Sequence, residues 1–215
     1  MRLHLVRHGR TASNVIGAID TSVPGPPLDE VGEQQAAALA LALADVPFDR
    51  VVASSQLRAQ MTAAALAHER GIELHVRDGL REVSAGELEM RSDEDAVGQY
   101  LAILAAWGHG DPSPVLPGGE TRATTLGRFD AVVEEVVASG AEHAAIVSHG
   151  AIIRVWCAAQ VSNIDADFIL RHRLANTGIV TLERDTHGEW VADRWESAVV
   201  PVPQSTSGPA GRPFD

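Results

Sequence analysis

The chain has 215 residues, 45% of them hydrophobic and 21% charged, so it fits one domain of ordinary size and is not intrinsically disordered as a whole. A formal net charge of −12 disfavours nucleic acid and anionic membranes as partners, because proteins that bind them usually present a basic face. No apolar run reaches the roughly 18–20 residues of a membrane span, and the N-terminus has no secretory signal pattern, so we expect a soluble cytoplasmic protein.

Short apolar runs that alternate with longer helical patterns predict an α/β protein. Strands are predicted over residues 3–6, 51–53, 73–76 and 144–147, followed by a closing hairpin of 178–182 and 190–195 with His187 and Gly188 in its turn. Helices are predicted over residues 31–44, with Asp29 as N-cap, and over 57–68, 93–107, 121–138 and 151–160. This order favours a three-layer α/β/α sandwich around a mostly parallel central sheet.

No internal repeat or sharp change of composition divides the chain, so residues 1–200 are predicted to form a single domain. Within that domain, residues 89–117 are expected to form a small helical cap over the edge of the sheet. Residues 201–215 are rich in Pro, Ser and Gly without periodicity, which indicates a disordered tail.

The residue types present restrict the chemistry that the chain can perform. All 17 basic residues are arginine, which excludes Schiff-base chemistry on lysine and a P-loop. The single cysteine, Cys157, cannot form an internal disulfide and is expected to be a buried small hydrophobe. The histidines and carboxylates show no spacing typical of a metal site, so no metal is expected.

Polar residues follow three of the predicted strands at the point where each strand ends. These ends are Arg7-His8-Gly9, Ser54-Ser55 leading to Arg58, and Ser148-His149-Gly150. Because ligands of open α/β sheets bind beyond the carboxyl ends of the strands, these side chains are expected to meet at one rim. Two histidines and two arginines there would form a cationic pocket for a small anion, and the arginine fork suits phosphate. Each residue alone also fits an ordinary surface position, but two X-His-Gly turns directly after apolar strands favour an anion site.

The chain resembles the histidine phosphatase superfamily, also called phosphoglycerate mutase-like, in six motifs that occur in order. The motifs are Leu5-Val6-Arg7-His8-Gly9-Arg10-Thr11 followed by Asn14 (the RHG signature), Leu28 to Ala36 (L-T-x-x-G-x-x-Q-A), Ser54 to Ala63 (S-x-L-x-R-A-x-x-T-A), Leu80-Arg81-Glu82 with Gly86 (L-R-E-x-x-x-G), Pro117 to Thr121 (P-G-G-E-S), and Val147-Ser148-His149-Gly150 (V-S-H-G). RHG alone would be weak, but six motifs in order across most of the chain are highly specific.

The resemblance implies a metal-independent phosphatase that needs no cofactor and acts on a small phosphomonoester. In this reading His8 is the nucleophile that forms a phosphohistidine. The residues Arg7, Arg58 and His149 would hold the phosphoryl oxygens, and Asn14, Thr21 and Gly150 would contact the substrate. A homodimer, through packing of a sheet edge or of helices, is compatible with the sequence.

The resemblance makes Glu82 the general acid for the leaving oxygen and then the base that activates water. The nearby Glu87 and Glu89 offer alternative carboxylates, and any of the three could instead be a solvated side chain. The spacing after Leu80 and Arg81 favours Glu82.

The chain departs from the family pattern in the loop after Asn14, where many members carry Gln-Gly and this chain has Ile19-Asp20-Thr21-Ser22. The segment from Glu82 to Gly118 is also shorter and less basic than the insertion of cofactor-dependent mutases, which favours hydrolysis. A phosphoglycerate mutase-type phosphotransferase and a non-catalytic phosphate-ester binding protein remain the alternative functions.

Overall fold

A computed structural model describes residues 1–200; the tail predicted at residues 201–215 lies outside the described residues. The strands are β1 (Arg2–Arg7), β2 (Arg50–Ser54), β3 (Leu74–Arg77), β4 (His143–Ser148), β5 (Ile179–Arg184), β6 (Trp190–Trp195) and β7 (Ala198–Val199). The helices are α1 (Ala12–Val15), α2 (Glu30–Ala42), α3 (Leu57–His68), α4 (Glu94–Gly108), α5 (Arg122–Ala138), α6 (Gly150–Gln160) and α7 (Ala166–Arg171).

The seven strands of the described part form one sheet in the order β3-β2-β4-β1-β5-β6-β7. The four strands from β3 to β1 pair in parallel, and the pairs of β5 with β1, β6 with β5 and β7 with β6 are antiparallel. Five strands therefore run in one direction and two in the other, so the sheet is mostly parallel.

Helices cover both faces of the sheet, because the central strands are apolar on both sides. Along β4, Ala144 and Ile146 belong to one apolar core, and Ala145 and Val147 belong to the other. The first core contains side chains of α4, α5 and α6, and the second contains side chains of α2 and α3. This arrangement is the predicted three-layer sandwich.

Each predicted strand and helix is present in the structure, with ends that differ from the predicted ones by at most two residues. Two short helices were not predicted, because each depends on a local cap and not on an apolar pattern. The Thr11 side chain accepts from Asn14 N and begins α1, and the Asp165 side chain accepts from Phe168 N and begins α7.

The α4 helix lies in the segment predicted as a cap, and it packs against α6 and α7. Its Trp107 is buried in the same core as Trp156 of α6, and the Trp107 indole donates to Pro114 O at 2.8 Å. Within the described residues, no helix combines the length and the apolar character required to cross a bilayer.

Candidate active site

The carboxyl ends of β2, β4 and β1 lie side by side, because these strands are parallel neighbours in the sheet. A cavity of about 170 Å³ opens there. Of the residues that the sequence singled out, the cavity is lined by Arg7, His8, Asn14, Thr21, Arg58 and Glu82. The expected rim is therefore present, with the two remaining residues, His149 and Gly150, directly beside it, as the contacts below show.

His8 follows β1 and is only 4% exposed. Its Nδ1 lies 2.7 Å from Gly9 O, and its Nε2 lies 3.2 Å from Arg58 Nε. A carbonyl oxygen only accepts hydrogen bonds, so Nδ1 carries the proton and Nε2 presents its lone pair. Burial and the charges of Arg58 and Arg7 hold the pKa of His8 well below its ordinary value. His8 is therefore a neutral imidazole at physiological pH, and the lone pair of its Nε2 accepts from Arg58 Nε.

His149 follows β4 and is fully buried, with its ring centroid 5.1 Å from that of His8. Its Nε2 lies 2.8 Å from Ser54 Oγ, whereas its Nδ1 has no hydrogen-bond partner among residues 1–200. Burial and then the charge of Arg58 lower the pKa of His149 well below its ordinary value. A buried ring nitrogen without a partner is a group that a bound ligand can satisfy.

Two buried guanidinium groups approach His8 from different elements. Arg7, at the end of β1, donates from Nη1 to Leu174 O at 2.7 Å, and Arg58, in the first turn of α3, donates from Nη2 to Asp20 O at 2.9 Å. Burial lowers the pKa of each from its ordinary value, but arginine stays protonated in proteins. A Cβ at Gly150 would lie 3.1 Å from Arg7 Nε, so glycine at this position leaves the space that the Arg7 side chain needs.

Asn14 reaches the cavity from α1, and a second asparagine orients it. Asn176 donates from Nδ2 to Asn14 Oδ1 and to His8 O, both at 3.1 Å. Because Asn14 Oδ1 also accepts from Thr11 N at 3.1 Å, its oxygen is satisfied and its amide NH2 is left for the cavity. Sequence reasoning missed Asn176, which no motif marks and which is 168 residues from His8 along the chain.

Glu82 lines the cavity, but its carboxylate is held by the N-terminus of α6. Its Oε2 accepts from Ala151 N at 3.0 Å, and its Oε1 accepts from Ile152 N at 2.8 Å and from Val83 N at 2.9 Å. The positive end of the helix dipole stabilises a carboxylate at this position. Glu82 must therefore give up part of this hydrogen bonding to take or donate a proton at a substrate.

The two alternative carboxylates occupy different positions. Glu87 is exposed, and Glu89 accepts from the backbone N–H groups of Thr21 at 2.8 Å and Ser22 at 3.1 Å. The Thr21 hydroxyl also donates to Glu89 and accepts from Ala85 N, so Thr21 lines the cavity with its hydroxyl engaged by the protein. The Glu89 carboxylate therefore holds the backbone of the loop after Asp20 in place.

Gln56, a residue that the motifs did not single out, joins that loop to the site. Its Nε2 donates to Thr21 O and Ser22 O, both at 3.0 Å, and its Oε1 accepts from Glu82 N at 2.9 Å. One buried amide thus positions both the loop and the proposed acid.

A larger cavity of about 500 Å³ lies elsewhere, between α5, α6 and β6, with Asp130, Trp156 and Trp190 in its lining. Trp156 Nε1 donates to Asp130 Oδ1 at 2.7 Å. Among the described residues, the lining of this larger cavity contains no histidine, whereas His8, Arg7 and Arg58 line the smaller one.

This fold and this site agree with the family comparison. The family model of the histidine phosphatase superfamily (branch 1) matches residues 3–198, so the chain belongs to that superfamily.

The relatives of the chain include named phosphatases, probable phosphoglycerate mutases and a protein that carries only a family designation. The adenosylcobalamin/alpha-ribazole phosphatase of Salmonella typhimurium is 34% identical over 159 residues, which cover 74% of this chain and 78% of the relative. A structure of a mycobacterial glucosyl-3-phosphoglycerate phosphatase in complex with VO3 superposes with a TM-score of 0.77 and 29% identity, covering 92% of this chain and 99% of that one. PE-PGRS family protein PE_PGRS11 of Mycobacterium tuberculosis is 33% identical over 98% of this chain, which spans 38% of its length.

Proposed function

We propose that this chain hydrolyses a small phosphomonoester without a metal ion, through a phosphohistidine on His8. The observation that carries the proposal is the His8 ring itself, which is buried and neutral, with its proton on Nδ1 toward Gly9 O and its Nε2 lone pair toward Arg58 at the cavity. An imidazole in this state is a competent nucleophile at physiological pH.

In the first step, Nε2 of His8 attacks phosphorus in line, the N–P bond forms, and the bond from phosphorus to the leaving oxygen breaks. The charge spread over the phosphoryl oxygens is met by Arg7 and Arg58, and by the unpaired ring nitrogen of His149. Glu82, protonated, gives its proton to the leaving oxygen.

In the second step, Glu82 as a carboxylate takes a proton from water, the new oxygen–phosphorus bond forms, and the N–P bond to His8 breaks. Inorganic phosphate leaves and the neutral imidazole is restored. Ala151 N and Ile152 N hold the Glu82 carboxylate between the two steps, which stabilises the form that must act as a base.

A small phosphorylated metabolite fits the shape of the site. The cavity of about 170 Å³ accommodates a phosphoryl group, and an adjoining groove of about 400 Å³ shares Thr21 and Glu82 with it. The groove extends from the proposed acid, where the leaving group would lie. Hydrolysis is further supported by the phosphatase names of two relatives.

The test is hydrolysis of a generic aryl phosphate with a chelator present, by wild type and by His8→Ala. We expect wild-type activity that survives the chelator and is lost in the variant. Wild-type activity that persists in His8→Ala would contradict the proposed nucleophile. Phosphate binding without any hydrolysis would instead support the binding protein, and interconversion of phosphoglycerates would support the mutase.

A further inference from the structure

Asp20 brings a carboxylate into the phosphate site of the proposed function, and the catalytic steps above do not use it. Asp20 lines the same cavity as His8 and Arg58, and its side chain is only 7% exposed. Its Oδ2 accepts from Ser13 Oγ at 2.6 Å. A negative side chain buried beside an anion site opposes the binding of that anion, so its presence calls for a physical reason.

The free oxygen of Asp20 faces Arg58. Asp20 Oδ1 lies 3.6 Å from Arg58 Nη1, and neither atom has a hydrogen-bond partner within the described part of the chain. Burial lowers the pKa of Arg58, and among the charges that raise it Asp20 acts most strongly. The pair is therefore a close Coulomb contact in a dry environment and not a formed hydrogen bond.

The loop that carries Asp20 is fixed against α3, so the contact does not depend on a free side chain. Pro24 O accepts from Leu57 N at 2.8 Å, and Gln56 holds the two carbonyls that follow Asp20. Gly25 has a φ of +66°, and a Cβ there would lie 2.6 Å from Arg58 Nη1. The loop thus closes directly over the guanidinium group.

The result is a cavity in which Asp20 offsets part of the positive charge of the two arginines. Among the described residues, the charged side chains in its lining are Arg7 and Arg58 on one side and Asp20 and Glu82 on the other. With both histidines neutral and Glu82 protonated, as the first catalytic step requires, the formal charge is +1, whereas it would be +2 without Asp20. A phosphomonoester, which carries about −1.5 to −2 charges at pH 7, therefore enters a site that holds it less strongly than two arginines alone would.

We propose that Asp20 is the counter-charge of Arg58 that weakens the binding of inorganic phosphate and so promotes its release after each hydrolytic cycle. The inference rests on the proposed function and makes Asp20 a positioning residue that acts through Arg58. The two possible roles of Asp20 predict opposite changes in phosphate affinity. Removal of a counter-charge strengthens phosphate binding, whereas loss of a purely structural support for Arg58 weakens it.

The experiment compares wild type, Asp20→Asn and Glu142→Gln. Binding of inorganic phosphate is measured by calorimetry, and KM and kcat are measured for an aryl phosphate. Asp20→Asn keeps an oxygen for the Ser13 hydroxyl while removing the charge. Glu142→Gln removes one charge from an exposed residue just before β4, at the opposite end of the sheet from the cavity, and is the matched control.

For Asp20→Asn we expect phosphate to bind about tenfold more tightly and KM to fall, with kcat unchanged or reduced by slower release. Glu142→Gln is expected to change phosphate binding less than twofold. Weaker phosphate binding with a higher KM in a folded Asp20→Asn protein would overturn the inference, as would no change. If Asp20→Asn does not fold, Asp20→Gln repeats the measurement, and Ser13→Ala, which keeps the charge, is expected to bind phosphate like wild type.

Calorimetry separates this inference from the proposed function, because phosphate binding is measured without turnover. A wild-type chain that binds phosphate but hydrolyses no ester would contradict the proposed function, and the sign of the Asp20→Asn effect would still be decided. If the wild type is active and the Asp20→Asn variant binds phosphate equally or more weakly, only the inference about Asp20 is contradicted.

Discussion

The hydrogen bond between Arg58 Nε and His8 Nε2, at 3.2 Å, occupies the lone pair that the proposed reaction needs. A phosphoryl group that enters the cavity offers Arg58 charged oxygens, which are stronger acceptors than a neutral ring nitrogen. The guanidinium would therefore exchange the ring for phosphate, and this exchange frees Nε2 as the substrate arrives. Substrate binding and activation of the nucleophile are thus coupled through one residue.

Arg7 provides the first prediction at the scale of a single residue. Replacement of Arg7 by Gln removes a buried charge beside the phosphoryl oxygens, and kcat/KM for an aryl phosphate should fall about 100-fold or more. Arg10→Gln is the matched control, because Arg10 bonds Asp29 Oδ2 at 2.9 Å and has no place in the cavity lining as described. Equal losses in the two folded variants, or a loss of less than threefold in Arg7→Gln, would contradict the assigned role.

The structure brings together around one cavity the side chains that the sequence placed at strand ends, whereas two residues that hold the site together were not predicted. His8 and His149 are fixed by strand ends, so an apolar run followed by X-His-Gly locates them. Asn176 and Gln56 act through contacts with segments far away in sequence, which no local pattern encodes. Asp20 was visible in the sequence as a departure from Gln-Gly, but its contact with Arg58 depends on how the loop closes.

At the scale of elements, the N-terminus of α6 positions two side chains of the site. It positions His149 just before its first turn and binds the Glu82 carboxylate with its free backbone N–H groups. Such N–H groups have no partner within their own helix, so Glu82 also acts as a cap for α6. The carboxylate proposed as the general acid therefore also stabilises the start of α6.

Glu82→Gln should show both roles. The amide replaces one acceptor oxygen with a donor that faces backbone N–H groups, which should lower the free energy of unfolding by about 1 kcal/mol. Hydrolysis of alkyl phosphates should fall much more than that of nitrophenyl phosphate, because only a poor leaving group needs the proton. Urea unfolding and kcat/KM for both esters provide the measurement.

Thr121→Ala is the matched control for that variant, because Thr121 caps α5 by accepting from Thr124 N at 3.1 Å. It should lower stability without changing the ratio of alkyl to nitrophenyl hydrolysis. A Glu82→Gln protein with the wild-type ratio of the two rates would rule out Glu82 as the acid.

The elements themselves were largely predictable, because their apolar periods and caps agree with the tertiary fold. The α3 helix (Leu57–His68) was predicted with its observed ends. The short helices α1 and α7 were missed, since four and six residues carry too little apolar pattern to indicate a helix.

At the scale of the whole molecule, three buried histidines make the free energy of unfolding depend on pH. Burial is the largest cause in each case: it lowers the pKa of His4 to about 4 and the pKa values of His8 and His149 well below their ordinary value. The unfolded chain therefore binds more protons than the folded one below about pH 6.5. The free energy of unfolding should therefore decrease as the pH falls below about 6.5. Above that pH these three groups should leave it unchanged.

His4 allows this linkage to be measured away from the cavity. One extra proton bound by the unfolded chain changes the free energy of unfolding by about 1.4 kcal/mol for each pH unit. Between pH 6.5 and pH 4, the lowered pKa of His4 should therefore by itself reduce the free energy of unfolding by about 3 kcal/mol. His4→Gln should flatten the dependence of stability on pH, as measured by urea unfolding at several pH values. A variant with the wild-type slope would show that the His4 pKa is not lowered in the folded chain.

The central claim is that His8 carries the phosphoryl group, and rapid-quench trapping tests it most directly. Enzyme mixed with a phosphomonoester is quenched in alkali within milliseconds and its peptides are mapped by mass spectrometry. We predict one phosphoryl group on His8, stable in alkali and lost in acid, and absent from His8→Ala. Phosphate attached to another residue, or turnover at the wild-type rate with no phosphorylated intermediate under any quench time, would contradict the mechanism.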